Sequence, residues 1–510
     1  MSPDSDLIVV GAGPSGLTLA LQATLMGAKV RILERRAEPR PWAPALAIHP
    51  RTMEILRGLD VADEVVSRGL TKVGLQIHIG HAVIRGSLGD LHLPNTEYPF
   101  ILFAPQPAVE AALAERLASI GVGVEWGSEL VGFEQGQGEV RCLARTSQEE
   151  ILTTRYLAGC DGADSTVRRL AGIRFRGRSY KESILIADAG PTPDLEPGTV
   201  NAFLGPGGIL FFFPLPTGGW RLIGPAHSEV TGSDLDTLVD RHTGGAVGIS
   251  DIEWARVIRP QHRVAGSYRN GHVFLVGDAA HVHSPAGAQG MNTGIQDAAN
   301  LGWKLGLVLR RGPDSLLDTY EVERRPVARQ VVRLTGLAYA LEVSEFAPLR
   351  WGRRLAARPI ASMLLPRPHL LSVIARLVSG LDTRYRRGAV DHDQFSAGRY
   401  QPGRRLPDIE IPDAHFSRLH QLIDARAFSL IVAGQVDRLE RTHLIRQYPD
   451  LVTIHDVSPP WAKQPGAVRW VLVRPDGYIA SSGKSSKLAK AREFLDHWVG
   501  DQLPAARSTL

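Results

Sequence analysis

Three clusters of glycine and acid stand out in this sequence, and the first and third have the residue types and spacing that hold a large anionic ligand. They are Gly11-Ala12-Gly13-Pro14-Ser15-Gly16, then Gly159-Cys160-Asp161-Gly162-Ala163-Asp164-Ser165-Thr166-Val167-Arg168, and then Gly277-Asp278 with Ser284-Pro285-Ala286-Gly287-Ala288-Gln289-Gly290-Met291-Asn292 behind it. In a GxGxxG turn the first glycine permits the tight bend, the second lets backbone approach a pyrophosphate, and the third lets helix and strand pack closely. The unpaired N–H groups at the start of the helix that follows favour an anion. Glu34, 18 residues beyond Gly16, can accept hydrogen bonds from ribose hydroxyls. The third cluster is dense in small residues and free backbone donors, so it can approach a flat, polar ring system closely.

Positioning these groups requires particular elements, and the flanking sequence supplies them. Leu7 to Val10 is a short β-branched apolar run that predicts a buried strand, Leu17 to Leu25 a buried helix, and Ala28 to Leu33 a second strand ending at Glu34. This is a βαβ unit with its parts in order, and it predicts dinucleotide binding. Val273 to Val276 predicts a strand leading into Gly277-Asp278, and Ile295 to Leu309 an amphipathic helix after the third cluster. No second complete GxGxxG follows a strand, so a second, permanently occupied dinucleotide domain is not expected. His281 and His283 are two apart without a third ligand, and no metal site is expected.

Composition narrows the classes further. Of 510 residues 44% are hydrophobic and 22% charged, which suits a globular protein of several domains. The net charge is +5, but the 58 cations are dispersed and only eight are lysine, so nucleic acid is not expected as a partner. Two cysteines, Cys142 and Cys160, favour a reducing, cytoplasmic setting. Leu7 to Ala28 carries no charge, yet Gly11, Gly13 and Gly16 within it argue for a nucleotide turn and against a membrane helix.

The three motifs, in this order, resemble the FAD-dependent aromatic hydroxylases (group A flavoprotein monooxygenases), especially the phenol hydroxylase and aromatic polyketide oxygenase branch. The segment Tyr320-Glu321-Val322-Glu323-Arg324-Arg325-Pro326 and the run from Ser379 to Tyr385 are similar to the same branch. The resemblance implies that NADPH or NADH reduces FAD and leaves. O₂ then forms a C4a-hydroperoxide, whose distal oxygen adds to a phenolic or polycyclic aromatic ring. It implies that Gly11, Gly13, Pro14, Ser15 and Gly16 hold the FAD pyrophosphate, and that Glu34 and Arg35 hold the adenosine ribose. Asp278 would serve the ribityl or pyrophosphate region, and Gln289, Gly290, Met291 and Asn292 the flavin pyrimidine edge. Arg51, Gln106 and Asp161 match further cofactor positions, although Asp161 also reads as the cap of a strand-end turn. Pro285 would lie beside both flavin and substrate. The sequence departs from the family at Pro44, where an arginine that packs on FAD is common, and Arg36 or Arg40 could substitute. Two other readings stay open: oxygen insertion of the Baeyer–Villiger type, and a non-catalytic flavin-binding or chaperone-like protein.

The resemblance also implies an α/β architecture: a discontinuous Rossmann-like FAD domain (1–75, 103–180 and 270–395), an inserted substrate-binding β-sheet domain (76–102 and 181–269), and a thioredoxin-like C-terminal domain (400–510). The tail has no CxxC, so it would serve packing or oligomer contacts in a monomer or homodimer. Gly208 to Pro216 and Gly218 to Gly224 read as a hairpin, with Phe211 and Phe213 on one face as candidate substrate contacts and Phe212 on the other. The sequence identifies no catalytic residue. Tyr98, His227, Arg221 and His262 are all open as the base that would remove a phenol proton.

Overall fold

The computed structural model describes residues 3–205, 208–226, 232–310, 312–343, 347–365, 367–390, 400–412, 415–458 and 468–499. The uncharged run near the amino terminus folds as strand β1 (Ser5–Val10), helix α1 (Pro14–Leu25) and strand β2 (Val30–Glu34). Its apolar character is explained by burial on both sides: Leu7, Ile8 and Val9 of β1 and Leu19, Ala20 and Leu21 of α1 have no exposed surface. Among the described residues no helix is long and apolar enough to cross a membrane.

β1 is the centre of an eight-stranded sheet. Glu149–Gly159 pairs parallel to β1 on one side and β2 on the other, with Val273–Leu275 and Val124–Trp126 outside them, also parallel. The ends of β1, Glu149–Gly159 and Val273–Leu275 therefore lie side by side. The three motifs, separated by more than a hundred residues each, meet at one edge, where an open parallel sheet binds ligands. Helix α2 (Gln289–Arg310) starts at this edge and is buried along most of its length.

A second, seven-stranded sheet has the order Trp254–Ile258, Ser183–Ala189, Trp220–Ala226, Gly208–Pro214, Thr199–Gly205, Gly74–Ile79, Ala82–Ser87. The predicted hairpin is its centre. Strand Gly208–Pro214 alternates buried and partly exposed positions, with Phe212 in the core and Phe211 and Phe213 together on the other face. Helix α3 (Ser315–Val343) starts beyond the far end of α2 and runs back past the turn at Ser284, which donates to the Thr335 carbonyl, to this sheet, where Tyr339 donates to the Glu182 carbonyl.

The carboxyl-terminal unit has a four-stranded sheet in the order Val452–Asp456, Phe428–Val432, Trp470–Val473, Ile479–Gly483, with the first two parallel and the rest antiparallel. Helices Arg438–Gln447 and Ala489–Val499 complete a thioredoxin-like arrangement. Its core is continuous with that of the amino-terminal unit: Trp303 of α2 meets Phe428 edge to face, with ring centroids 5.6 Å apart.

Candidate functional site: a flavin cleft

The first motif forms a cradle with one open side. A Cβ at Gly16 would lie 1.9 Å from the Gly11 carbonyl oxygen, so the third glycine is needed for strand–helix packing. A Cβ at Gly13 would meet only Glu110 Oε1, at 3.9 Å, so the second glycine faces space that the fold leaves free. Pro14 begins α1 and has no N–H, which leaves the amides of Ser15 and Gly16 directed at that space. Glu34 accepts from the Ala12 amide at 2.8 Å and from Arg36 Nε at 2.9 Å. Burial pushes its carboxyl up, but Arg36 and the Ala12 amide outweigh this and hold it below the usual range. Arg35 is exposed, whereas Arg36 is partly buried on Glu34. Gln106, the first residue of helix Gln106–Ser119, donates to Glu110 at 2.7 Å on the same wall.

The Gly277-Asp278 turn closes on this cradle. Ser15 Oγ sits where a Cβ at Gly277 or Gly294 would be, at 2.5 and 2.2 Å, so the first and third motifs are interlocked through one hydroxyl. Asp278 is exposed at the turn. Beyond it, Pro285 starts a short turn whose Gly287 and Ala288 have φ of +73° and +52°. That turn sets the start of α2, where the first-turn amides have no helical carbonyl partner. Asn292 is spent on the scaffold: its Oδ1 accepts from the His49 amide at 2.8 Å, and its Nδ2 donates to the carbonyls of Ala47 and Ala288. Gln289 donates to the Val378 carbonyl at 2.7 Å. Gly290 and Met291 remain partly exposed between them. His49 Nε2 donates to the Gly287 carbonyl, while its buried Nδ1 has no protein partner.

Two sequence candidates are engaged elsewhere than in this cradle. Asp161 Oδ2 accepts from the amides of Thr166 and Val167 at 2.7 and 3.1 Å, capping helix Thr166–Leu170, while its Oδ1 is buried without a partner. Arg51 is 2% exposed, pairs with Glu54 at 3.0 Å, donates to the Asp476 carbonyl and lies 5.0 Å from the Tyr478 ring, so it faces the carboxyl-terminal unit.

The second sheet supplies the facing wall. Across its strands Ile186, Ile223 and Phe211 stand in register, and one step along so do Trp254, Asp188, Arg221 and Phe213. Directly opposed residues share a face, so both rows are on one surface. Ile186 and Ile223 pack against Ala286 of the flavin turn. Phe211 and Phe213 stack at 5.6 Å, and Phe213 reaches Phe103 at 6.1 Å. Arg221 anchors the loop that carries Pro44. Bidentate on Asp188 at 2.7 Å, it donates to the carbonyls of Pro44 and Ala45 at 3.1 and 3.2 Å, fixing that loop to the sheet. Trp254 donates to the same Asp188 and stacks on Trp42, so the loop is held from two sides. Only the pairing of Asp188 with Arg221 in three dimensions reveals this role; the sequence carries no local sign of it.

The four candidate bases separate clearly. Arg221 is fully engaged as a donor. Tyr98 is pushed up to about 12 by burial. His262 is lowered by burial and meets Tyr180 edge on. His227 lies outside the described residues. His283, unnoticed as a base, donates Nδ1–H to the Ser284 carbonyl, and burial lowers it to about 4, so its Nε2 is a neutral acceptor. His281 is bound to Asp297 at 2.6 Å, and Asp297 to Arg324 at 2.6 Å, an entirely buried chain beneath the turn. Among the described residues no group of three His, Cys, Asp or Glu is placed to hold a metal.

The groups present fit a flavin dinucleotide: an open second glycine, free helix-start amides at two points, a buried carboxylate at the end of β2 and an unpartnered polar atom at His49. Comparison with known proteins agrees. Residues 4–335 match the FAD binding domain family, and residues 399–502 the family described as aromatic-ring hydroxylase, C-terminal. The 6-methylpretetramide 4-monooxygenase of Streptomyces rimosus is 35% identical over 526 aligned residues, covering 95% of this chain and 92% of that protein. The structure of OxyS, an anhydrotetracycline hydroxylase from Streptomyces rimosus, is similar with a TM-score of 0.78 at 30% identity, covering 97% of this chain and 99% of that one. CabE, an aromatic hydroxylase from angucycline biosynthesis, also gives 0.78 at 30% identity, covering 98% and 99%. Cradle, interlocked turn and cysteine-free tail thus occur together on one chain, and the chain belongs to the FAD-dependent aromatic-ring hydroxylases, the flavoprotein monooxygenases that consume NAD(P)H and O₂.

Proposed function

We propose that the chain hydroxylates a flat phenolic or polycyclic aromatic of the polyketide type. The observation that carries this reading is the apolar row Ile186–Ile223–Phe211, standing in register and packed through Ile186 and Ile223 on Ala286 of the flavin turn. A wall of this kind, extended by Phe213 and Phe103, suits a planar ring system pressed towards Pro285. Relatives named for 6-methylpretetramide and anhydrotetracycline support the same substrate class.

The bound flavin supplies the activation of O₂, and the protein supplies placement. The amides of Gly290 and Met291 and the start of α2 stabilise negative charge at the pyrimidine edge. Glu34 receives the ribose hydroxyls, and Ser15 and Gly16 donate to the pyrophosphate. Phe211, Phe213 and the two isoleucines keep water from the reacting face. Arg221 keeps the 44–45 loop on the sheet, which bounds the cleft. The segments 1–75, 103–180 and 270–395 act as the cofactor unit, 76–102 and 181–269 as the substrate unit, and 400–510 as a packing unit, in a cytoplasmic monomer or homodimer.

The test is incubation of the purified flavoprotein with NADPH, ¹⁸O₂ and polyhydroxylated aromatic polyketides. Gain of one labelled hydroxyl, with substrate-stimulated NADPH oxidation, is the expected result. A labelled ester would assign oxygen insertion instead, and no stimulation by any aromatic would remove the hydroxylase reading.

A further inference from the structure

A second cleft, of about 240 Å³, lies between α3 and the strands Phe175–Ser179 and Gln261–Ala265, away from the aromatic wall. Its polar lining is Arg176, Arg325, Arg329 and Arg333, its apolar floor includes Val264 and Val332, and no acidic residue lines it. Arg325, Arg329 and Arg333 recur every fourth residue and so share one face of α3. Like charges at this spacing destabilise a helix. A solvated face would normally alternate acid with base. Arg325 is tied to Glu321 at 2.7 Å, but its Nε is buried without a partner. Among the described residues no carboxylate pairs with Arg176, Arg329 or Arg333.

The cleft adjoins the flavin site. Strand Gln261–Ala265 pairs with Phe175–Ser179 on one side and on the other with His281–Val282, immediately after the Asp278 turn. Arg168 of the second motif donates to the Ala279 carbonyl at 2.8 Å, and its guanidinium lies 3.8 Å from the Phe175 ring, one residue from Arg176. Four guanidinium groups line this one cleft, one strand from the flavin turn, and supply the charge and donors for multidentate phosphate binding.

We infer that this arginine cleft binds the 2′-phosphorylated ADP-ribose half of NADPH and selects NADPH over NADH. The inference rests on the oxygenase reading for its nicotinamide nucleotide, and deepens it by giving that nucleotide a site. Arg329 and Arg333 grip the 2′-phosphate, and Arg176 and Arg325 the pyrophosphate.

The experiment titrates oxidised, FAD-loaded protein with 2′,5′-ADP and with 5′-AMP by calorimetry. Wild type should bind 2′,5′-ADP at least about tenfold more tightly, the factor expected for a charge-assisted phosphate contact. R329E/R333E should lose that margin at wild-type FAD content, and the ratio of KM for NADH to KM for NADPH should fall by a similar factor. R446E, the same charge reversal on the carboxyl-terminal unit, should retain the margin. If the double variant loses FAD, Arg333→Gln repeats the titration. Equal binding of the two probes by wild type, or an unchanged margin in the cleft variants, overturns the assignment. Anaerobic reduction of wild-type flavin is measured alongside with the aromatic polyketides present, since the oxygenase reading expects substrate to stimulate NADPH oxidation. Bleaching by neither NADPH nor NADH would defeat the oxygenase reading, while bleaching with an unchanged margin would defeat the cleft alone.

Discussion

Arg474, in the turn between the last two strands of the carboxyl-terminal sheet, holds Glu323 of α3 through two N–H···O bonds of 2.9 Å, with neither side chain exposed. The same carboxylate accepts from Lys304 at 2.9 Å and Asn300 at 2.6 Å on α2, and Arg474 also pairs with Asp476. One buried ionic cluster thus joins the two units. Removing one partner of a buried pair leaves a charge without compensation. Arg474→Leu should therefore destabilise the protein by about 3–5 kcal/mol in denaturant unfolding. A loss below about 1 kcal/mol, the scale of an exposed pair, would show that the cluster does not join the units.

The cluster also sets an acid limit. Burial pushes the Glu323 carboxyl up, but Arg474 and Lys304 overcome this and bring it from 4.5 to about 2. Lys304 itself is lowered to about 8, because burial and the repulsion of Arg474 outweigh its share of the carboxylate. A depressed carboxyl contributes stability that is complete above its unfolded value and lost as pH falls through the folded one. The melting temperature should hence decline between pH 4.5 and 2 more steeply than in Glu323→Gln, which lacks this titration. Parallel declines would show that other carboxylates govern acid unfolding.

Both cysteines should be chemically silent. Burial pushes Cys142 up to about 12 and Cys160 well above the ordinary thiol range, so neither offers a thiolate near neutrality. Both are free, and both lie outside the thioredoxin-like unit. Iodoacetamide should label neither in the folded flavoprotein, and Cys142→Ala/Cys160→Ala should reduce and reoxidise its flavin at wild-type rates. Slowed reoxidation in that variant would bring a thiol into the redox path.

What could be read from the sequence was what is local. The β1–α1–β2 cradle is written in consecutive residues, so period, turn chemistry and terminal acid all point one way, and the two-residue strand period separated Phe212 from Phe211 and Phe213. The missing parts are relations between distant residues. Arg221 reaches back to Pro44, and Arg474 to Glu323, without any local pattern marking the partner. Arg51 reads through the resemblance as a cofactor position, but the direction of its side chain depends on the Asp476–Tyr478 turn of another unit. Asp161 carried two readings, and its hydrogen bonds to the Thr166 and Val167 amides supply the capping one.

Ala288 is an alanine with φ of +52°, next to Gly287 at +73°. The left-handed region costs a residue with a Cβ about 1 kcal/mol, and glycine little. Ala288→Gly should therefore raise stability by up to about 1 kcal/mol, less the added freedom of the unfolded chain. Gly287→Ala should lower it. Thermal melts of the two variants, with and without added FAD, check both signs. A destabilised Ala288→Gly would mean that the Ala288 methyl contributes packing worth more than the strain.

The second and third glycines of the first motif separate cofactor binding from folding. A Cβ at Gly16 would collide with the Gly11 carbonyl at 1.9 Å, whereas a Cβ at Gly13 would come no nearer to protein than 3.9 Å from Glu110. Gly16→Ala should thus damage the fold itself, giving protein with a lowered melting temperature even as apoprotein. Gly13→Ala should fold normally, because its φ of −80° suits any residue. Its methyl group occupies the space where backbone must approach the pyrophosphate, so FAD should be held at least about tenfold more weakly. Far-ultraviolet circular dichroism, apoprotein melting and FAD titration measure the two properties apart. Wild-type FAD affinity in Gly13→Ala would show that the pyrophosphate does not pass over this turn, and the cradle assignment would fall with it.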